Sequence, residues 1–148
     1  MSYDNLRKGR CSLPGQFYLV TTVTARRAPL FADFATARCA IGELRRTHDL
    51  GSVASMAWVL MPDHLHWLFQ LGEGFTLAKV MQGFKGRSAR EIRRLGEHRE
   101  IWRRGYHDHA LRAEEDVQGV ARYLVANPSR AGLVLRAGDY PHWDAMWI

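Results

Sequence analysis

Cysteine is scarce in this chain, and the two that occur, Cys11 and Cys39, have neither metal-ligand spacing nor the pattern of a disulfide framework. That argues against a cross-linked secreted scaffold and against a thiolate metal cluster, and it fits reduced thiols in a cytoplasm. Long hydrophobic runs are missing too. No stretch approaches the length that crosses a bilayer, so no membrane partner is expected. The opening residues carry Arg7, Lys8 and Arg10 with no apolar run behind them, unlike a secretion signal, and a cytoplasmic location is the expectation. Internal repeats and low-complexity segments are absent as well.

Acidic residues are in short supply, 15 against 21 basic ones, and the deficit is local. Between Lys79 and Arg104 stand nine basic residues and three acidic ones, while the rest of the chain carries twelve of each sign. A segment of concentrated positive charge suits a polyanion, although a solvated helix face has the same composition. The 148 residues, 47% hydrophobic and 24% charged, make an ordinary globular composition with room for one domain.

Residues 1–15 read as a basic arm closed by the turn signal Leu13-Pro14-Gly15, 16–136 as the folded domain and 137–148 as an aromatic tail that either stacks on bases or packs on the body. Within the domain, β-branched and aromatic residues predict a strand over 16–24. A helical period with Asp33 as N-cap predicts a helix over 33–48. A second strand over 53–60 turns through Met61-Pro62-Asp63 into a third. Thr76 caps a helix whose apolar stripe is Leu77, Val80, Met81, Phe84, Ile92 and Leu95, with Gly83 and Gly86 marking a place for a bend. Residues 101–112 read as a fourth strand interrupted by Gly105. A last helix, with Val117, Val120, Ala121 and Leu124 as its stripe, ends at Asn127-Pro128. This order predicts a ferredoxin-like α+β sandwich: an antiparallel sheet with helices packed on one face, plus a C-terminal helix that carries Tyr123. In that topology the first and third strands are central.

The third strand contains the most informative residues, Met61-Pro62-Asp63-His64-Leu65-His66-Trp67-Leu68-Phe69. Successive side chains on a strand alternate between faces, so Leu65, Trp67, Phe69 and Leu71 share one side while His64, His66, Leu68 and Gln70 share the other. The two imidazoles then stand side by side, as two ligands of a divalent metal or as ordinary half-exposed strand residues. On the last helix Tyr123 and Asn127 fall about 40° apart and share a flank. They point together at the histidines or serve packing and capping.

Several blocks together resemble a known family: the His64-Leu65-His66 motif, the run Trp102–Arg112, the run Tyr123–Val134 and Gly138-Asp139-Tyr140-Pro141-His142-Trp143. They are similar to the REP-associated tyrosine transposases, a branch of the IS200-like Y1 transposases with an HUH motif. The resemblance implies Tyr123 as nucleophile and His64, His66 and Asn127 as ligands of Mg²⁺ or Mn²⁺. Glutamine is frequent at the position of Asn127 in related enzymes. It further implies cleavage and strand transfer of single-stranded DNA at REP-type hairpins through a 5′-phosphotyrosine, by a monomer or a homodimer. Arg7, Lys8, Arg10, Lys85, Arg87, Arg90, Arg93, Arg94, Arg103 and Arg104 are the candidate DNA contacts. His107 and His109 either approach the site or only run along a strand.

Other readings fit less well. A histidine-triad hydrolase needs a third alternating histidine, and position 68 is leucine; a two-histidine phosphoesterase needs a second motif copy, and none occurs. A catalytically silent protein that holds hairpin DNA is the remaining alternative, and it has no need of Tyr123, His64 and His66 together.

Overall fold

Alternation of apolar and polar side chains sets the sheet. In the computed structural model, which describes residues 15–112 and 116–146, strand β1 is Phe17–Val23, β2 is Val53–Met61, β3 is His64–Leu71, β4 is His107–Ala110 and β5 is Trp143–Ala145. Arg7, Lys8 and Arg10 lie outside the described residues. All pairings are antiparallel and the order is β4-β1-β3-β2-β5, so β3 is central with β1 beside it. β2 and β3 form a hairpin in which Met61 faces His64 across the Pro62-Asp63 turn.

One side of the sheet carries the larger core. Tyr18, Val20, Leu65, Trp67, Phe69 and Leu71 pack there against Ile41 and Leu44 of helix α1 (Phe34–Asp49) and Val80, Met81, Phe84 and Ile92 of helix α2 (Leu77–Arg94). A fully buried aromatic or aliphatic side chain contributes about 1.5–3 kcal/mol, so this layer supplies much of the stability. Its indoles are satisfied: Trp67 donates to Ser55 Oγ at 3.0 Å and Trp102 to Ser88 Oγ at 2.9 Å. Both helices start as their sequences require, with Asp33 accepting from Thr36 N and Thr76 from Lys79 N.

α2 is continuous through Gly83 and Gly86, with no break there. Gly83 makes room for a neighbour: a Cβ there would lie 2.9 Å from the Arg87 guanidinium. The fourth strand is shorter than expected. Gly105 has φ 84°, which ends any extended run, and Trp102 forms only an isolated bridge to Thr24.

The other side of the sheet is covered by helix α3 (Val117–Val125), followed after a turn at Ala126 by the short helix α4 (Asn127–Arg130), with Pro128 in its first turn. Ala121, Leu124 and Val125 seat α3 on Ala57, Val59, Met61, Leu68 and Ala145. The aromatic segment folds back: β5 pairs with β2, the Tyr140 hydroxyl donates to Leu60 O at 2.6 Å and His142 is buried. Among the described residues no helix is long and apolar enough to cross a membrane.

Candidate active site

The register of the sheet builds the histidine pair. His66 faces Thr21 on β1 and Val59 on β2, and His64 faces Val23 and Met61. Cross-strand partners share a face, so both imidazoles point to the side that α3 covers. Their ring centroids are 4.7 Å apart in an edge-on arrangement.

Each ring is held through Nδ1. The Thr21 hydroxyl lies 2.8 Å from Nδ1 of His66, and Asp63 Oδ1 lies 2.7 Å from Nδ1 of His64. Asp63 is itself fixed by Arg27, whose Nε donates to Oδ2 at 3.0 Å. Burial alone would raise the Asp63 carboxyl, but the hydrogen bonds from His64 and Arg27 outweigh it and hold the group below its usual range. Burial, with the charges of His64 and Arg130 adding, pushes His66 down to about 4 and keeps it neutral near pH 7. A neutral ring anchored at Nδ1 presents Nε2 as its remaining donor atom, the state in which imidazole ligates a metal. The donor set therefore fits a divalent ion at His64 and His66. Among the described residues no third histidine, cysteine or carboxylate joins them, so any further protein ligand has to come from another residue type.

Tyr123 projects from the exposed flank of α3 and is 65% exposed. It lines a cleft with Leu19, His109, Asp116, Gly119 and Val120. Leu19 and His109 are cross-strand partners, and His107 faces Thr21, the residue that also faces His66. The phenol therefore stands over the same sheet face as the imidazoles, near the strand that carries His107 and His109. Asn127 follows on α4. Arg130 joins them: its Nη1 donates to Tyr123 O at 2.7 Å, its Nη2 to Asn127 Oδ1 at 3.1 Å, and its Cζ lies 3.7 Å from the centroid of the Tyr123 ring.

The basic residues separate into two groups. Arg87 is half-buried; its Nε donates to Glu43 Oε2 at 3.0 Å and its Nη2 to Thr47 Oγ1 at 3.2 Å, which clamps α2 to α1. Lys85 donates to the carbonyls of Arg103 and Gly105, both at 2.7 Å. Arg90, Arg93, Arg94, Arg103 and Arg104 are exposed, with Glu91 beside Arg90 and Arg94. Those on α2 belong to the layer opposite the histidines. Arg103 lies beside the site's edge, since its backbone N–H donates to Val23 O and Val23 faces His64.

Sequence reasoning gave no role to Thr21, Asp63, Arg27 or Arg130. Thr21 and Arg27 reach the site only through tertiary pairing, whereas Asp63 is the sequence neighbour of His64. Arg130 had a local signal, since positions three and seven residues after Asn127 and Tyr123 are on the same side of a helix.

A family model described as "Transposase IS200 like" matches residues 16–127. The REP-associated tyrosine transposase of Escherichia coli (strain K12) is 27% identical over 132 residues, which are 86% of this chain and 74% of that protein. A Haemophilus influenzae protein is 27% identical over 99 residues, 60% of this chain and 56% of its own length. The fold is similar to a solved structure of a REP-associated tyrosine transposase bound to a REP hairpin, with a TM-score of 0.75 at 22% identity over 90% of this chain and 79% of that one.

Proposed function

From a chain that belongs to the IS200-like transposases, we propose an enzyme that cuts and rejoins single-stranded DNA at REP-type hairpins through a tyrosine-linked intermediate. The observation that carries this reading is the exposed phenol of Tyr123 on the sheet face that also holds the paired, Nδ1-anchored imidazoles of His64 and His66. The similarity to the Escherichia coli REP-associated tyrosine transposase supports the choice of hairpin DNA.

In this reading the Tyr123 oxygen attacks the phosphorus of a phosphodiester. The P–O bond to the 3′-oxygen breaks, that oxygen takes up a proton and leaves as a 3′-hydroxyl, and the 5′-phosphate remains on the tyrosine. The new bond is again a phosphodiester, so a second 3′-hydroxyl can displace the phenol without an external energy source. His64 and His66 would hold Mg²⁺ or Mn²⁺, with Asn127 Oδ1 as a third protein ligand. When bound, the ion polarises the phosphate and stabilises charge on the departing oxygen. Thr21 and Asp63 orient the two rings for that task. The exposed Arg90, Arg93, Arg94, Arg103 and Arg104, together with Arg7, Lys8 and Arg10 of the N-terminal arm, contact phosphates. Arg87 and Lys85 are left out of the DNA surface because protein acceptors already hold their donors. The phenol and the imidazoles share one chain's sheet face, so a single subunit is proposed to suffice.

The test is incubation of labelled hairpin DNA with the protein and Mn²⁺, followed by a denaturing gel. Wild type is expected to give a protein–DNA adduct, Tyr123→Phe none, and His64→Ala none while keeping most of its DNA affinity. An adduct with Tyr123→Phe would refute the assigned nucleophile. Tight binding without an adduct under every metal would make the protein a silent hairpin binder.

A further inference from the structure

Among the described residues of the site, Arg130 is the one side chain that touches both helix-borne groups, and the reaction outlined above gives it no task. Its partners are a backbone carbonyl, a carboxamide and an aromatic ring, none of them an anion. A guanidinium placed among neutral acceptors beside a phosphodiester-cleaving centre has unused capacity for a phosphate, which its planar fork binds through two parallel hydrogen bonds. Its charge also reaches His66 across the site.

The acceptor it occupies is informative. Asn127 Oδ1 is the atom assigned above to the metal, and in this structure it accepts from Arg130 Nη2 at 3.1 Å. A divalent cation on the same oxygen would stand within a few ångströms of the exposed guanidinium, and like charges at that range repel. The two occupants of Asn127 therefore compete.

Resting on the reading above, we propose that Arg130 is a DNA-contacting residue of the site, parked on Asn127 and Tyr123 in the free protein and released to the reacting phosphate when Asn127 takes the metal. The parked guanidinium stands in for the cation: it holds the carboxamide oxygen and covers the phenol ring. Metal capture then arms two groups together, the carboxamide as ligand and the guanidinium as phosphate clamp. Linkage makes the coupling reciprocal, so phosphate binding by Arg130 favours metal capture by the same amount.

The test needs no turnover. Mn²⁺ affinity of the DNA-free protein is read from the paramagnetic resonance signal of unbound Mn²⁺, in wild type, Arg130→Met, Arg130→Lys, Asn127→Ala and the Asn127→Ala/Arg130→Met pair. Removing one competing hydrogen bond is a factor of about three to ten, so Arg130→Met is expected to bind Mn²⁺ tighter by that factor, with Arg130→Lys between it and wild type. In the Asn127→Ala background the gain is expected to vanish. Hairpin binding is measured in a Tyr123→Phe background, which removes cleavage but keeps the ring. Arg130→Met is expected to lower the slope of log affinity against log salt by about one with Mn²⁺ present and to leave it unchanged in chelator. Equal Mn²⁺ affinity of wild type and Arg130→Met, at a site that His64→Ala destroys, would overturn this inference alone. Mn²⁺ binding indifferent to His64→Ala would overturn the metal assignment beneath it as well.

Discussion

Acidifying the metal-free protein tests whether the sheet and α3 shield His66. Its ring titrates near 6.5 in an unfolded chain and is pushed down to about 4 in the fold, first by burial and then by the charges of His64 and Arg130. Between those two values the unfolded chain binds the proton and the folded one does not, so stability falls as the pH is lowered through this window. A tenfold difference in proton affinity is worth about 1.4 kcal/mol, so about 2 kcal/mol is gone by pH 5 and about 3 kcal/mol by pH 4. The assay is urea unfolding in chelator at a series of pH values, wild type against His66→Gln, whose amide can still meet the Thr21 hydroxyl. His142 is also lowered, by burial and by Arg38, and loses stability in the same direction, but it is common to both proteins and cancels. The stability gap between wild type and variant is therefore expected to change by about 3 kcal/mol between pH 7 and pH 4. Parallel curves over that range would refute the shielded ring, and with it the claim that His66 stands neutral and ready for a cation near pH 7.

Two other substitutions separate structural from functional cations and ligands. Arg87→Met leaves the Glu43 side chain, 8% exposed, charged and unpaired, and is expected to cost about 3–5 kcal/mol in chemical denaturation, with Glu43→Met in the same protein recovering most of it. Equal stability of Arg87→Met and wild type would show that the clamp carries nothing. Asp63→Ala releases the His64 ring and is expected to weaken Mn²⁺ binding by roughly 10–100-fold in a calorimetric titration while the fold persists. Unchanged affinity would remove Asp63 from the site.

The sheet was legible because its signal is local. β3 alternates with period two, and β1 and β2 are dense in β-branched and aromatic residues, so these strands, the β2–β3 hairpin and the shared face of the histidines followed from spacing, and the central place of β1 and β3 from the sandwich topology. The reading of an α+β sandwich with an added tyrosine-bearing helix agrees with the structure. Errors arose where the deciding partner is distant in sequence. Gly83 read as a place for a bend or break because the chain does not show that Arg87 packs over it to reach Glu43, forty-four positions from Arg87. Lys85 and Arg87 counted as surface charge for the same reason. β5 is only three residues long and exists because β2 offers an edge, which no period can reveal. Thr21 became visible as a ring anchor only once the strands were in register.

The two layers that flank the sheet differ in what holds them. Trp67, Phe69, Phe84 and Trp102 bind α1 and α2 to one face, whereas the buried cluster under α3 on the other is smaller and mainly aliphatic, with Val59, Met61, Leu68 and Leu124 at its centre. Amide protons of residues 117–125 should consequently exchange through a local opening that costs much less than global unfolding. A tyrosine borne on the smaller of the two layers is the side of the site with more freedom to move, while the central strand keeps its imidazoles in place. The strand transfer proposed for this site would use such freedom, because the end that departs and the end that arrives must exchange places at one phosphorus.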